Sequence, residues 1–380
     1  MTTPRKTSMP SILSILSISS ISSISSIRLT PLCAAGLLAL CAAPSAFAQS
    51  SVTVYGIADV LLEYRDHMNA AGDHRFGVSA GGMNTSRWGL RGAEDLGGGL
   101  KAVFQLEAEV GFDTGMAGSS FWGRQANVGL EGEFGRVVAG RSYTTTYDFL
   151  LPFDPMGYAP FYSWATSGGQ IATQPRRDGM VTGMSNLIKY QGTFGPVKVG
   201  ATYALGEVTG SDAAGRFFAL AGAYTAGPFS ATLVVDQRNG ATIAANGRYD
   251  KEKALHWAAS YDWKPVKLFL AQRVYRKEFA AGGADAKSTM TWLGATWQAT
   301  PALSLTPAVY FQNISSGASG TDDPKLYALR AKYELSKRTS LYAVASTAKS
   351  GDGGLVSVSR DDNGFGDSQS SVGLGIQHRF

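Results

Sequence analysis

From residue 51 onward, apolar and polar residues alternate with a period of two along most of the chain, the pattern of β-strands that bury one face and wet the other. In "ALHWAASYDW", Leu255, Trp257, Ala259, Tyr261 and Trp263 share one face, opposite His256, Ser260 and Asp262. In "LYALRAKYEL", Tyr327, Leu329, Ala331, Tyr333 and Leu335 oppose Arg330, Lys332 and Glu334. "LSLTPAVYFQ" sets Leu303, Leu305, Pro307, Val309 and Phe311 against Ser304, Thr306, Tyr310 and Gln312. The separators alternate as well. Short breaks such as "DLGGGL", "TFGPV", "TAGPFS" and "DWKPV" take turns with long polar stretches such as "EVTGSDAAGR", "RNGATIAANGRYD" and "ISSGASGTDDPK". That rhythm describes hairpins with tight turns at one end and extended loops at the other.

The pattern predicts about sixteen strands, from "SVTVYGIADVLLEY" to the closing "VGLGIQHRF". An even count, apolar faces bounded by aromatics and opposite faces containing charge predict an all-β, 16-stranded antiparallel transmembrane β-barrel with a polar lumen. Barrels of that size enclose an aqueous channel, and closure removes the sheet edges that a bilayer does not tolerate. A soluble β-sandwich would also bury one face, but inward charge on nearly every strand fits a wet lumen better. The last strand places Phe380, His378, Ile376, Leu374 and Val372 on one face, so Phe380 is expected in an aromatic girdle, sealing the cylinder against the first strand.

The first residues differ from the rest. A Ser/Ile-rich basic stretch leads into "PLCAAGLLALCAAPSAFAQ", an apolar run ending in Ala46-Phe47-Ala48. These features mark residues 1–48 as a secretory signal peptide, leaving 49–380 as the mature domain. Both cysteines, Cys33 and Cys41, would leave with it, which excludes disulfides, cysteine nucleophiles and thiolate metal sites from the mature chain. The leader holds Arg5, Lys6 and Arg28 and no acid, so the net charge falls from +5 to +2 on its removal. That balance gives no support to nucleic-acid binding. The chain's 46 glycines, well above the usual share of about 7%, are spread along its length rather than gathered in a linker.

Several stretches resemble the Gram-negative general porins of the β-proteobacterial type: "SSVTVYGIADV", "SRWGLRGAEDLGGGLKAVFQLE", "FWGRQANVGLEGEFGRVVAGRSY", "YELSKRTSLYAVAS" and "VGLGIQHRF". They run from the first strand to the last. The resemblance implies a homotrimer of barrels in the outer membrane, among lipid and lipopolysaccharide, each passing small hydrophilic solutes and anions. It also implies that the third long loop, within residues 144–180, folds into the barrel and narrows it; Pro152, Pro155 and Pro160 there suit a loop better than a strand. A terminal aromatic such as Phe380 is, in such proteins, the signal read by the outer-membrane assembly machinery.

Alternation assigns the pore wall. With Trp88 and Leu90 facing lipid, Arg87 and Arg91 point inward; with Phe104 and Leu106 outward, Glu107 and Glu109 point inward. Arg124, Lys189, Lys198, Lys267, Arg273, Arg330, Lys332 and Arg379 extend the basic lumen set, against Asp59, Glu63, Asp236, Asp262 and Glu334. By the resemblance, Arg87, Arg124 and Lys189, with Arg141 as a further basic position of ambiguous parity, face Asp148 and Asp154 on the loop, with Glu107 nearby. Charge in a narrow low-dielectric passage focuses the field on passing ions, and its sign sets which ions pass; ten basic against seven acidic positions predict weak anion preference. A substrate-specific channel of the same fold and a non-conducting adhesin or anchor are the alternatives. Catalysis is not expected: "LGGGLK" lacks phosphate-loop spacing, no G-x-S-x-G elbow is present, and His256 and Asp262 lie roughly 20 Å apart along one strand. No cofactor or metal site is expected.

Overall fold

The computed structural model describes residues 51–166, 179–315, 323–351, 354–360, 362 and 364–380. The predicted leader, 1–48, and the stretch 167–178 of the predicted inward loop lie outside them. Seventeen strand segments form one closed antiparallel ring. They are β1 (Ser51–Arg65), β2 (Arg75–Ala80), β3 (Arg87–Gly97), β4 (Leu100–Glu109), β5 (Gln125–Gly132), β6 (Gly135–Tyr143), β7 (Gly183–Phe194), β8 (Val197–Ala204) and β9 (Phe217–Ala226). Then follow β10 (Phe229–Asn239), β11 (Lys251–Trp263), β12 (Val266–Glu278), β13 (Ala286–Gln298), β14 (Leu303–Ile314), β15 (Lys325–Glu334), β16 (Thr339–Lys349) and β17 (Ser368–Arg379).

Segments β2 and β3 both pair with β1, in succession along it, so they are two halves of one strand and the barrel has sixteen. The interruption, residues 81–86, turns inward: Asp59 accepts from the backbone N–H of Met83 and Asn84 at 3.1 and 3.0 Å and from Tyr342 Oη at 2.6 Å. The alternation predicted from sequence is the observed sidedness. Leu255, Tyr261 and Trp263 on β11, and Tyr327, Leu329 and Tyr333 on β15, are exposed on the outer wall, while His256, Tyr310 and Leu326 are buried inside. In water so large an apolar wall would be untenable; against hydrocarbon it is the expected surface.

Closure occurs between β1 and β17, registered from Ile57 opposite Arg379 to Arg65 opposite Ser371. Gly56 and Phe380 exchange both backbone hydrogen bonds, at 3.0 and 3.2 Å, extending this seam to the last residue. The Phe380 ring lies over Gly56 so closely that a Cβ there would stand 2.3 Å from Cζ. Gly56 is thus the space into which the terminal ring folds, on the outer face carrying Leu374 and Ile376.

Candidate functional site

The β6–β7 connection enters the barrel instead of crossing its rim. Thr144 caps a short helix, α1 (Thr145–Leu150), by accepting from the Tyr147 N–H at 3.2 Å, and Pro152 then converts the chain to a single 3₁₀ turn, Leu151–Phe153. Phe149, Leu150, Phe153, Met156 and Trp164 pack in one buried cluster with Ala258, Ala271, Met290, Trp292, Tyr310 and Leu326 of β11–β15. Full burial of side chains of this size contributes about 2 kcal/mol each. The lumen is therefore not wet all round: the inward face of β11–β15 is partly apolar and covered by the loop. Two wall glycines make room, since a Cβ on Gly200 would meet Phe149 at 2.5 Å and one on Gly294 would meet Pro155 at 2.6 Å.

Polar groups fix the loop's height. Thr145 Oγ1 bonds Thr202 Oγ1 at 2.8 Å, Thr146 Oγ1 donates to Asp236 Oδ2 at 2.9 Å, and Trp292 Nε1 donates to the Phe153 carbonyl at 3.1 Å. Arg273 Nη1 donates to the Ala165 carbonyl at 2.7 Å, and Arg330 donates to the Met156 and Pro155 carbonyls, both at 3.2 Å. Arg360, from the β16–β17 connection, donates to the Tyr158 carbonyl at 2.8 Å.

The loop leaves the inward face of β3–β6 turned toward open lumen. Here Glu107 is the hub: Arg124 Nε lies 2.9 Å and Arg87 Nη1 3.9 Å from its carboxylate, which also accepts from Tyr55 Oη at 2.9 Å and Tyr143 Oη at 3.1 Å. Arg124 also reaches Glu109 at 3.5 Å. Across the gap, Lys189 Nζ pairs with Asp148 Oδ2 on α1 at 2.8 Å, and Gln191 donates to the same oxygen at 2.6 Å. Tyr143 and Tyr147 stack with centroids 4.3 Å apart where wall passes into loop. Arg91 and Lys198 have no ion pair with a described residue; they lie over the Tyr55 and Phe149 rings at 5.3 and 4.6 Å. A polar recess runs between α1 and this wall, lined by Gln105, Asn127, Arg136, Lys189, Gln191 and Lys198 among others.

A barrel whose own loop narrows a charged, water-accessible lumen has the architecture of a diffusion channel, and sequence comparison agrees: the model of the Gram-negative porin family matches residues 34–353. The chain belongs to the Gram-negative porins. Outer membrane porin protein 32 of Delftia acidovorans is 34% identical to it, over 90% of this chain and 98% of the relative. An outer membrane porin protein of Bordetella pertussis is 33% identical, over 92% and 99%. Among solved structures, an anion-selective porin from Comamonas acidovorans matches with a TM-score of 0.75 and 32% identity, over 87% of this chain and all of that one. The trimer form of OmpT from Vibrio cholerae, TM-score 0.67 at 15% identity, shares the fold. The protein is an outer-membrane porin, a barrel for passive passage.

Two expected constriction residues of this porin have other surroundings than the resemblance implied. Asp154 does not face the passage: it is 4% exposed beneath the loop, where it accepts from Tyr310 Oη at 2.5 Å and from Ser163 Oγ and the Tyr158 N–H, both at 2.7 Å. Desolvation pushes this carboxyl above its ordinary value, against the hydrogen bonds that hold the charge. Arg141 is paired opposite Ala126, in the same row as the outward Val128 and Leu130, where the register shifts between Gly140 and Ser142. Its guanidinium is taken up by the Gly123 carbonyl and by Ser185 Oγ, the latter at 2.8 Å, in a recess it shares with Glu109, Arg124 and Tyr143, rather than by an acid of the loop. Arg273 and Arg330 do point inward, but under the loop rather than into the passage. Lys332 pairs with Glu334 at 2.5 Å. His256 has a carboxylate partner that reading along one strand could not find: Asp236, across the β10–β11 pairing, at 2.8 Å. Tyr55, Gln105, Tyr143 and Gln191, which also shape the passage, carry no charge to attract notice.

Proposed function

We propose that this porin is a general diffusion channel with weak anion preference, working as a homotrimer after export by the leader 1–48 and assembly signalled by Phe380. One observation carries the selectivity. The acids at the open wall are already matched, Glu107 by Arg87 and Arg124 and Asp148 by Lys189, whereas Arg91 and Lys198 keep their charge unpaired among the described residues. The residual field in the narrow part is positive, which favours anions. The anion selectivity named for the Comamonas acidovorans porin supports the same sign, and the trimer form named for OmpT supports the assembly.

Planar-bilayer recording of the refolded protein under a salt gradient tests the reading. An ohmic current with a reversal potential of the sign for chloride preference is expected, and Arg91→Ser with Lys198→Gln should bring it close to zero. Cation preference in the wild type would overturn the charge argument, and absence of current would favour the anchor reading. Saturating conductance with one solute class would favour a substrate-specific channel. Chemical cross-linking that yields only monomer would remove the trimer.

A further inference from the structure

Ring closure leaves a strand edge open at the tight-turn end. Segment β1 pairs along its first half with β3, from Ser51 opposite Ala93 to Ile57 opposite Arg87. On its other side β17 reaches only to Gly56, which exchanges both backbone hydrogen bonds with Phe380. In an antiparallel strand the N–H and C=O of one residue point to the same side, and successive residues alternate. Gly56 therefore sets the direction of its even-numbered neighbours: the N–H and C=O groups of Val52 and Val54 point past the end of β17, where no described residue pairs with them. The odd-numbered residues turn the other way, as the Asp59 carbonyl does in accepting from the Gly81 N–H at 2.8 Å.

The side chains around this edge are open too. Val52 and Val54 stand on the outer face, 65% and 59% exposed, in the row that continues through Gly56 and the Phe380 ring over it. Thr53 and Tyr55 stand on the inner face, and Arg91, directly opposite Thr53, lies over the Tyr55 ring at 5.3 Å. Arg379 is the last inward residue of β17, and its N–H donates at 2.8 Å to the carbonyl of Arg338, in the tight turn between β15 and β16 that also carries Lys337. Arg91, Lys337, Arg338 and Arg379 are exposed and form no ion pair with a described residue. The acids of this end are placed elsewhere: Glu334 is held by Lys332 at 2.5 Å, and Glu94 and Asp95 lie beyond Ala93, past the start of β1.

We propose that this edge is the docking site of an acidic, extended peptide segment of a periplasmic partner, added as one further strand beside β1 in the line of β17. The short turns of outer-membrane barrels face the periplasm, which sets the compartment. A free strand edge is a template for another strand, with main-chain hydrogen bonds supplying affinity and alternate side chains supplying specificity. The register sets what the segment must be. Residues beside Val54 and Val52 turn their N–H and C=O groups to β1 and their side chains to the outer face, next to valine and the Phe380 ring, so they are apolar. Residues between them turn their side chains inward, among Tyr55, Thr53, Arg91 and Arg379, with Lys337 and Arg338 on the far side, so they are acidic. The inference rests on the strand register and not on conduction, because Val52 and Val54 face away from the lumen.

The test uses the refolded full chain in zwitterionic detergent, titrated into fluorescein-labelled octapeptides and read by fluorescence anisotropy. A peptide of alternating valine and glutamate should bind at least tenfold more tightly than one of alternating valine and lysine. N-methylation of its valines, which removes the N–H groups turned to β1, should cost at least tenfold, whereas N-methylation of its glutamates should cost less than threefold. The variant V52P/V54P should lose at least tenfold of the affinity; the N–H groups it removes have no partner in the ring, and proline is tolerated at such an edge. If that variant does not fold, the two methylated peptides decide the matter on the wild type. K337Q/R338Q should weaken binding at least threefold. Conductance and reversal potential of V52P/V54P should match wild type, which separates this proposal from the selectivity argument. Equal binding of the valine-methylated or the lysine peptide, or unchanged affinity in the folded V52P/V54P, would overturn it, as would cross-linking that places a second copy of this chain on the edge.

Discussion

Asp154 gives the sharpest handle on the inserted loop. Its carboxylate takes three strong hydrogen bonds, from Tyr310 of the wall and from Ser163 and Tyr158 of the loop itself. Asp154→Ala leaves all three donors buried without an acceptor, and at about 1–3 kcal/mol for each such group the docked loop loses roughly 4 kcal/mol once partial relaxation is allowed. Asp154→Asn keeps one oxygen for Ser163 and Tyr158, and the Tyr310 hydroxyl can turn to accept from the new amide, so its cost is nearer 1–2 kcal/mol. The strand ladder contains neither change. Limited proteolysis within 144–166 should therefore accelerate strongly in the alanine variant and mildly in the asparagine variant, while the thermal transition of the whole barrel moves little. Single-channel traces of Asp154→Ala should show a larger, noisier conductance as the loop leaves the passage. Wild-type conductance together with wild-type protease resistance in Asp154→Ala would refute the assignment of Asp154 as the loop's anchor.

Gly56→Val drives side-chain atoms into the Phe380 ring and the Arg87 carbonyl, the latter 2.6 Å from the first added carbon, and should cut the yield of heat-resistant barrel several-fold in a refolding gel assay. Deleting Phe380 should lower outer-membrane levels while the molecules that do assemble conduct normally; normal levels would argue against the signal role. Gly200→Leu should push α1 away from the wall, changing single-channel conductance without changing the strand content seen by circular dichroism. Asp250, in the β10–β11 loop, is held below the ordinary aspartate value first by the Ala280 N–H and then by Lys277. A depressed value means that its stabilisation is present above the ordinary aspartate range and lost as pH falls through the lower folded value, so the protection of the Ala280 amide, measured against the unstructured exchange rate at the same pH, should fall in acid, and Asp250→Ala should lower it at neutral pH with little further effect once the wild-type carboxyl is protonated.

Because side chains in a strand alternate strictly, parity along the chain is enough to tell which residues face lipid, as for Leu255, Tyr327 and Leu374, and which point inward, as for Arg87, Glu107 and Lys189. The sequence also showed the strand rhythm and the loop that breaks it, because proline and the lack of alternation are local properties. Which of the inward groups meet water follows from what packs against them in the closed barrel. Tyr310 and Trp292 sit on the lumen face by parity, yet they pack under the loop, and Arg273 and Arg330 hold its carbonyls instead of lining the passage. Asp154 is six residues beyond Asp148, but the chain turns between them, so one faces Lys189 and the other is buried. The His256–Asp236 pair and the Gly200 and Gly294 recesses depend on the register between strands or on what packs against them. Periodicity along one strand fixes a side chain's direction; what it meets there is set by neighbours distant in the chain, and that is information only the closed barrel contains.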